Sequence, residues 1–454
     1  MRPVRFRADW VVPISGPPVR DGALLVDEHG RIAAVGPDAR VPRPDDAEHT
    51  DLGAAALLPG LVNVHAHPEL SALRGALEDL PFRAWINTLR DIKRAAPLDA
   101  ADLFDSALAQ VAEAFAAGIT TLGATEDSDA ALQALERAGG RGVVYREVFG
   151  PAPGQCDTAL AGLRARVAAM RALASPLVHI GVSPHAPYTV SDELLRAVAE
   201  YAAAEALPIA VHIAESAIEV ELVVNGAGEF AGALQQRGIG TSPRARSPVA
   251  LLEHTGVLAL RPLLIHCVQI DDADVRAIAA HGASVAHCPV ANARLGHGIA
   301  PIAELLAAGV TVGLGSDSVA SNNRMDLLEE ARTAQLLQRA RLHSHDVLSA
   351  EQLLRLATLE GARALGLEHE VGSLETGKSA DLCAVSLAGP HVHPVHDPYA
   401  ALIHAARGSD VVLTMVAGRV VYRAGRHTTI DVPAVTARVA AIAERVAAVR
   451  TVAP

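Results

Sequence analysis

Alternation is the feature that most constrains this chain. Eight apolar, strand-like runs ("LLPGLVNVHAH", "GITTLGAT", "RGVVYREVFG", "PLVHIGVSPH", "LPIAVHIAES", "PLLIHCV", "GASVAHCP" and "GVTVGLGSDS") follow one another with helical stretches between them. The helical spacing, with apolar residues three and four apart, is clear at 99–116, 191–206, 271–281 and 325–341. Eight such βα units within roughly 300 residues are what a (β/α)8 barrel requires. A doubly wound sheet has fewer strands and opens on a Gly-rich phosphate loop, which this sequence lacks. The flanks have a different texture. "RFRADWVVPI", "GALLVDEHG" and "RIAAVGP" near the start, and "SADLCAVSL", "DVVLTMVAG" and "RVVYRAG" near the end, are short β-like runs broken by Gly and Pro. The expected architecture is therefore an α/β fold: a (β/α)8 TIM barrel over 59–369, with a small β-sandwich domain built from 1–58 and 370–454. A helical tail is expected from about Val432 to Val449. The stretch 225–255 reads as an insertion after the fifth strand, a candidate lid or subunit contact.

In such a barrel the active site lies at the C-terminal ends of the strands. Those ends carry His65 and His67 (first strand), His185 (fourth), His212 and Glu215 (fifth), His266 (sixth), His287 (seventh) and Asp317 (eighth). On a strand, residues two apart share a face, so His65 and His67 emerge side by side. A single H-x-H pair supplies too few ligands for a metal, and the pattern recurs at His343/His345 and His391/His393. Those two pairs lie away from the strand ends and are read as solvated loops. His287 and His179 are read as satisfied core histidines. The remaining polar groups converge on one cavity if the eight-strand reading holds.

Bulk properties narrow the partners. The net charge is −12 and the sequence pI about 5.9, which leaves no basic surface for a nucleic-acid polymer. Cys156, Cys267, Cys288 and Cys383 are dispersed, as expected for free thiols in a reducing compartment. The N-terminus has no apolar h-region and no run reaches the length of a membrane span, so the expected location is the cytoplasm.

The segments "PGLVNVHAH", "HIAES", "LIHCV", "HCPVANARLGHGIAP" and "GLGSDSVASNN", in that order, resemble the amidohydrolase superfamily. The likeness runs from about Pro59 to Gly377 and is nearest the branch of purine, nucleoside and triazine deaminases and chlorohydrolases. "VSPHAPYTVS" and "HIAES" point within it to deaminases of methylthioadenosine, S-adenosylhomocysteine or aminofutalosine type. The resemblance implies His65, His67, His212 and Asp317 as ligands of a divalent metal, zinc first, with iron or manganese as alternatives. It implies Glu215 as the proton shuttle, with His266 and Asp317 beside it in catalysis. His185, Trp85, Arg146 and Ser318 are the implied substrate-binding residues, with Arg74 a further pocket candidate. Two-metal relatives bridge their ions with a lysine at the end of strand four. This chain's lysines are Lys93 and Lys378, so one metal is expected. The expected activity is hydrolytic deamination of an amino-substituted purine or adenosine-type nucleoside. The alternative is a triazine-type aminohydrolase or chlorohydrolase, or another C–N hydrolase; a non-catalytic barrel would not need to keep every ligand. A small heteroaromatic substrate is the expected partner, and a homo-oligomer is possible through helix 325–341 or the 225–255 insertion.

Overall fold

The protein is described by a computed structural model over residues 1–450. The eight apolar runs form eight parallel strands: Leu61–Ala66, Ile119–Glu126, Arg141–Val148, Val178–Pro184, Ala210–Ile213, Leu263–His266, Ser284–His287 and Thr311–Leu314. They make two four-stranded ladders. Bridges at Val182–Ile209 and Ala66–Asp317 join the ladders at both edges and close the barrel. Closure leaves no free strand edge and buries both faces, which is why these strands read as apolar runs rather than as alternating ones. The second bridge sets Asp317 directly beside the end of the first strand.

The helices begin where the sequence offers caps. Asp99, Ser191, Asp271 and Asp326 each accept from backbone N–H groups of the first turn. They open the helices Ala100–Ala116, Asp192–Glu205, Asp272–His281 and Leu327–Leu342. One buried cluster joins Val62, Val64, Val143 and Ile265 of the barrel to Leu365, Leu367 and Val371, tying the segment beyond the eighth strand back to the first.

Both termini build the second sheet, a single nine-stranded ladder. They meet where Ala55–Pro59 pairs antiparallel with Leu382–Ser386, Leu58 opposite Cys383. A buried ion network fastens this sheet to the barrel. Arg141, at the start of the third barrel strand, reaches Asp381 and Glu370 at 2.8 Å and Ser379 at 2.9 Å. The tail forms the helix Val432–Arg450, and no helix among the described residues is long and apolar enough to cross a membrane.

The 225–255 stretch is packed rather than free. It contains the helices Gly228–Gln235 and Pro248–His254. Phe230 is buried and stacks on Tyr188, ring centroids 4.2 Å apart. Arg244 donates to the carbonyls of Pro187 and Val190 and to Asp192, which braces the loop that follows the fourth strand.

Candidate active site

A cavity of about 480 Å³ opens at the C-terminal end of the barrel and is lined by His67, Glu69, Trp85, Glu147, His185, His212, Glu215, His266, Asp317 and Ser318. Four side chains meet at its base. His65 Nε2 lies 3.2 Å and His67 Nε2 3.6 Å from Asp317 Oδ1. His212 Nε2 lies 3.3 Å from His67 Nε2. Donors bound tetrahedrally at about 2.0–2.2 Å stand roughly 3.3–3.6 Å apart, and these three separations lie close to that range.

Hydrogen bonding sets the protonation states of these side chains. His212 Nδ1 faces the carbonyl of His185 at 3.2 Å. A carbonyl only accepts, so the ring proton sits on Nδ1 and the Nε2 lone pair points to the site. Burial, and then the neighbouring imidazoles, hold His212 well below the usual histidine range and bring His67 to about 3, keeping both rings neutral. Burial pushes the Asp317 carboxyl up, but its hydrogen bond with His65 at 3.2 Å leads the contacts that outweigh it, and Asp317 ends below its ordinary value. Ser321 donates to Asp317 Oδ2 at 2.8 Å and leaves Oδ1 facing the histidines. Neutral imidazoles with an ionised carboxylate are the protonation states a divalent metal needs, and the set fits zinc, iron or manganese.

The backbone around this base is tightly constrained. A Cβ on Gly315 would lie 3.0 Å from His65 Cβ and 2.9 Å from Cys288 Sγ, so only glycine lets the eighth strand approach the first so closely.

Glu215 is 5% exposed and sits next to the ligand set. Its Oε1 lies 3.2 Å from His297 Nε2, without the alignment of a hydrogen bond, and 3.6 Å from His266 Nε2. His266 Nδ1 meets Asn292 Oδ1 at 2.9 Å. That oxygen only accepts, so His266 carries a proton on Nδ1 and turns Nε2 to Glu215. Burial pushes Glu215 up, yet His266 and His297 outweigh it and the carboxyl lies below its ordinary value. Glu219 accepts from the backbone N–H groups of Ala214 and Glu215 at 2.8 and 3.0 Å, which holds the turn that presents Glu215.

The structure places the sequence-derived residues unevenly. His65, His67, His212, Asp317, Glu215, His266, His185, Trp85 and Ser318 gather at this cavity. Arg146 does not. It donates to the Ser128 carbonyl at 2.7 Å and lines a separate cavity, because its chain neighbour Glu147 faces the site and successive strand residues point to opposite faces. Arg74 pairs with Glu113 away from the cavity. His287 is buried but not satisfied, since neither ring nitrogen has a hydrogen-bond partner, and burial drives it to about 3. His179 is exposed. Three residues were missed. Glu147 is the penultimate residue of the third strand, is 8% exposed and has no hydrogen-bond partner for Oε1. His297 and Asn292, which flank Glu215 and His266, come from irregular chain and a short helix after the seventh strand.

These features can be set beside known proteins. A family model described as "Amidohydrolase family" matches residues 56–421. A 5-methylthioadenosine/S-adenosylhomocysteine deaminase of Moorella thermoacetica is 35% identical over 434 residues, covering 94% of this chain and 96% of its own. One from Desulforudis audaxviator is 35% identical over 430 residues, covering 94% and 95%. Among solved structures, an adenosine deaminase of Xanthomonas campestris with bound zinc superposes with a TM-score of 0.86 at 30% identity, covering 98% of each chain. The atrazine chlorohydrolase TrzN of Arthrobacter aurescens, complexed with zinc, gives 0.84 at 25% identity, covering 97% of this chain and all of its own.

Proposed function

This chain belongs to the amidohydrolase family, and from that premise we propose that it hydrolytically deaminates an adenosine-type nucleoside, releasing ammonia. It is a metal-dependent hydrolase acting on carbon–nitrogen bonds other than peptide bonds. The single observation that carries the substrate reading is Glu215. An ionised, buried carboxylate stands between two imidazoles and beside a four-donor metal set, in a cavity large enough for a nucleoside. The names of the relatives support the same class: methylthioadenosine, S-adenosylhomocysteine or a similar nucleoside.

The metal is assigned as one zinc ion per chain, with iron or manganese as alternatives, held by His65, His67, His212 and Asp317. The fourth strand ends in Pro184–His185, with no lysine to bridge a second ion. When bound, the ion supplies the Lewis acidity that makes water nucleophilic near neutral pH. Glu215 takes one proton of the attacking water and delivers it to the ring nitrogen beside the attacked carbon. It then carries the second proton, from the hydroxyl left on that carbon, to the amine, which departs as ammonia while the carbonyl forms. His266, fixed by Asn292, orients the attack and stabilises the oxygen charge that develops. His297 flanks the Glu215 carboxylate at 3.2 Å. His185, Trp85 and Ser318 bind the substrate, and the Tyr188 ring, backed by Phe230, walls off water.

The test is product analysis on a panel of adenosine derivatives, aminopurines and chlorinated and aminated triazines. Ammonia release greatest from an adenosine derivative is expected. Chloride release from a chlorotriazine exceeding ammonia release from every nucleoside would overturn the reading.

A further inference from the structure

Two carboxyls face the cavity with nothing in the protein to satisfy them. Glu147, the penultimate residue of the third strand, is 8% exposed. Glu69, two residues past His67 in the short helix Pro68–Leu73, is 2% exposed. Both line the cavity, and Glu147 Oε1 and Glu69 Oε2 are buried atoms without a hydrogen-bond partner. The cations nearby are engaged elsewhere: Lys93 Nζ stands 3.9 Å from Asp127, and Arg146 donates to the Ser128 carbonyl. A buried acceptor left without a donor costs the fold free energy. Burial pushes Glu147 well above the ordinary carboxylate range, and donors supplied by a ligand would draw it back.

The imidazole beside them adds a third acceptor. Thr189 Oγ1 donates to the Ala186 carbonyl at 3.1 Å, so it accepts from His185 Nδ1, 2.8 Å away. Burial keeps the His185 ring neutral, and with its proton on Nδ1 the ring leaves Nε2 as an acceptor, 4.0 Å from Glu147 Oε1. Two acceptors at that separation call for donors from outside the protein. Glu69, Glu147 and His185 all stand on or just past the ladder of strands one to four. Glu215, His266 and His297 stand on or just past the ladder of strands five to eight. A nucleoside whose base lies against Glu215 and His266 therefore lays its sugar toward the three acceptors.

We propose that Glu147 and His185, supplemented by Glu69, form a subsite for a vicinal pair of hydroxyl groups on the sugar attached to the reacting ring. The proposal rests on the deaminase reading above and adds which residues tell a ribonucleoside from its deoxy counterparts. Each hydroxyl supplies the O–H that one acceptor lacks. A hydrogen bond to a charged group, set against a buried acceptor left unmet, is worth about tenfold to a hundredfold.

Adenosine, 2′-deoxyadenosine and 3′-deoxyadenosine are given to the metal-loaded full-length enzyme and to its Glu147→Met and Glu147→Gln variants. Ammonia release is resolved into kcat and KM, and metal content and thermal unfolding are recorded on the same preparations. In the wild type, kcat/KM for adenosine is expected to exceed that for at least one deoxynucleoside by about tenfold to a hundredfold. In Glu147→Met that ratio is expected to fall to within about threefold, and in Glu147→Gln to an intermediate value. Tm without substrate should be unchanged or higher in both variants, because each loses a buried carboxyl that no protein group satisfies. Equal kcat/KM for adenosine and both deoxynucleosides in the wild type would overturn the subsite while leaving deamination intact. A ratio unchanged in the variants would do the same, as would a Tm lowered by several degrees in the glutamine variant, which would make Glu147 a structural partner. A second divalent ion in the wild type that the variants lose would give the carboxyls to a cation and overturn the diol. Ammonia release from no nucleoside at all would instead bring down the deaminase reading and the subsite with it.

Discussion

Glu215→Gln separates proton transfer from everything else the site does. The structure says what the substitution leaves alone. The turn that presents residue 215 is held by Glu219 through the backbone, not through the Glu215 side chain. Oε1 of Glu215 stands 3.2 Å from His297 Nε2 and 3.6 Å from His266 Nε2, and a glutamine amide keeps the same size and the same imidazole neighbours. Stability is therefore expected to change by no more than about 1 kcal/mol. The four ligands are untouched, so metal content should be that of the wild type. The reaction loses its proton carrier, which costs about 10²–10⁴-fold in kcat, equivalent to about 3–5 kcal/mol of barrier. The pH profile gives a second check. Because the folded-state Glu215 carboxyl lies below its ordinary value of 4.5, it is ionised and able to accept a proton everywhere above that value, and any acid limb belonging to it lies below pH 4.5. The assay is ammonia release on metal-quantified enzyme, with thermal unfolding recorded on the same preparations. A glutamine variant that keeps more than about a tenth of wild-type kcat at full metal occupancy refutes the shuttle. His212→Ala is the contrasting control, because removing a ligand should lower metal content along with rate.

Elemental analysis of protein purified without added metal should give about one divalent ion per chain, and a reproducible value near two would refute the mononuclear site. Replacing His343 and His345, or His391 and His393, with alanine should leave metal content and turnover within a few-fold, since all four are exposed and distant from the strand ends; loss of metal would show that a wrong pair had been assigned. Arg141→Met should destabilise the fold by about 3–5 kcal/mol, because it leaves the 1%-exposed Asp381 carboxylate with only Ser379 and a backbone N–H. Chemical denaturation measures this, and a loss below about 1 kcal/mol would mean that the inter-sheet network is not what joins the two parts.

The barrel was legible because burial on both faces leaves apolar runs that stop at the polar residue facing the mouth, and because aspartate and serine caps mark where the helices begin. The same rule names Glu147, which lies one residue before the end of the third strand as His65 does in the first. Reading Arg146 as the pocket residue put the adjacent, wrong face of that strand toward the cavity. His297 had no periodic signal to find. It stands in irregular chain after the helix Pro289–Arg294, and only the closed barrel brings it to Glu215, 82 positions earlier in the sequence.

What periodicity could least foresee is the backbone conformation that aims the site. Ala214, His266, Cys267 and Asp317 all take positive φ, at 50°, 77°, 48° and 56°. None is glycine, the residue that would have advertised such a turn, and each left-handed position costs about 1–3 kcal/mol. At 266 and 317 the proposed chemistry calls for an imidazole and a carboxylate, which glycine cannot supply. The chain sustains the strain by crossing over itself. Cys267 N–H donates to the Ile213 carbonyl, the N–H groups of Val268 and Gln269 both donate to Ala214, and Asp317 N–H donates to His65. Each strained residue is thus clamped to the adjacent strand end that carries another member of the site, so the ends of strands five and six hold one another, as do those of strands eight and one. The strain and the convergence have one cause: the last residues of parallel strands must leave their ladder to turn inward, and here they do so while hydrogen-bonded to one another.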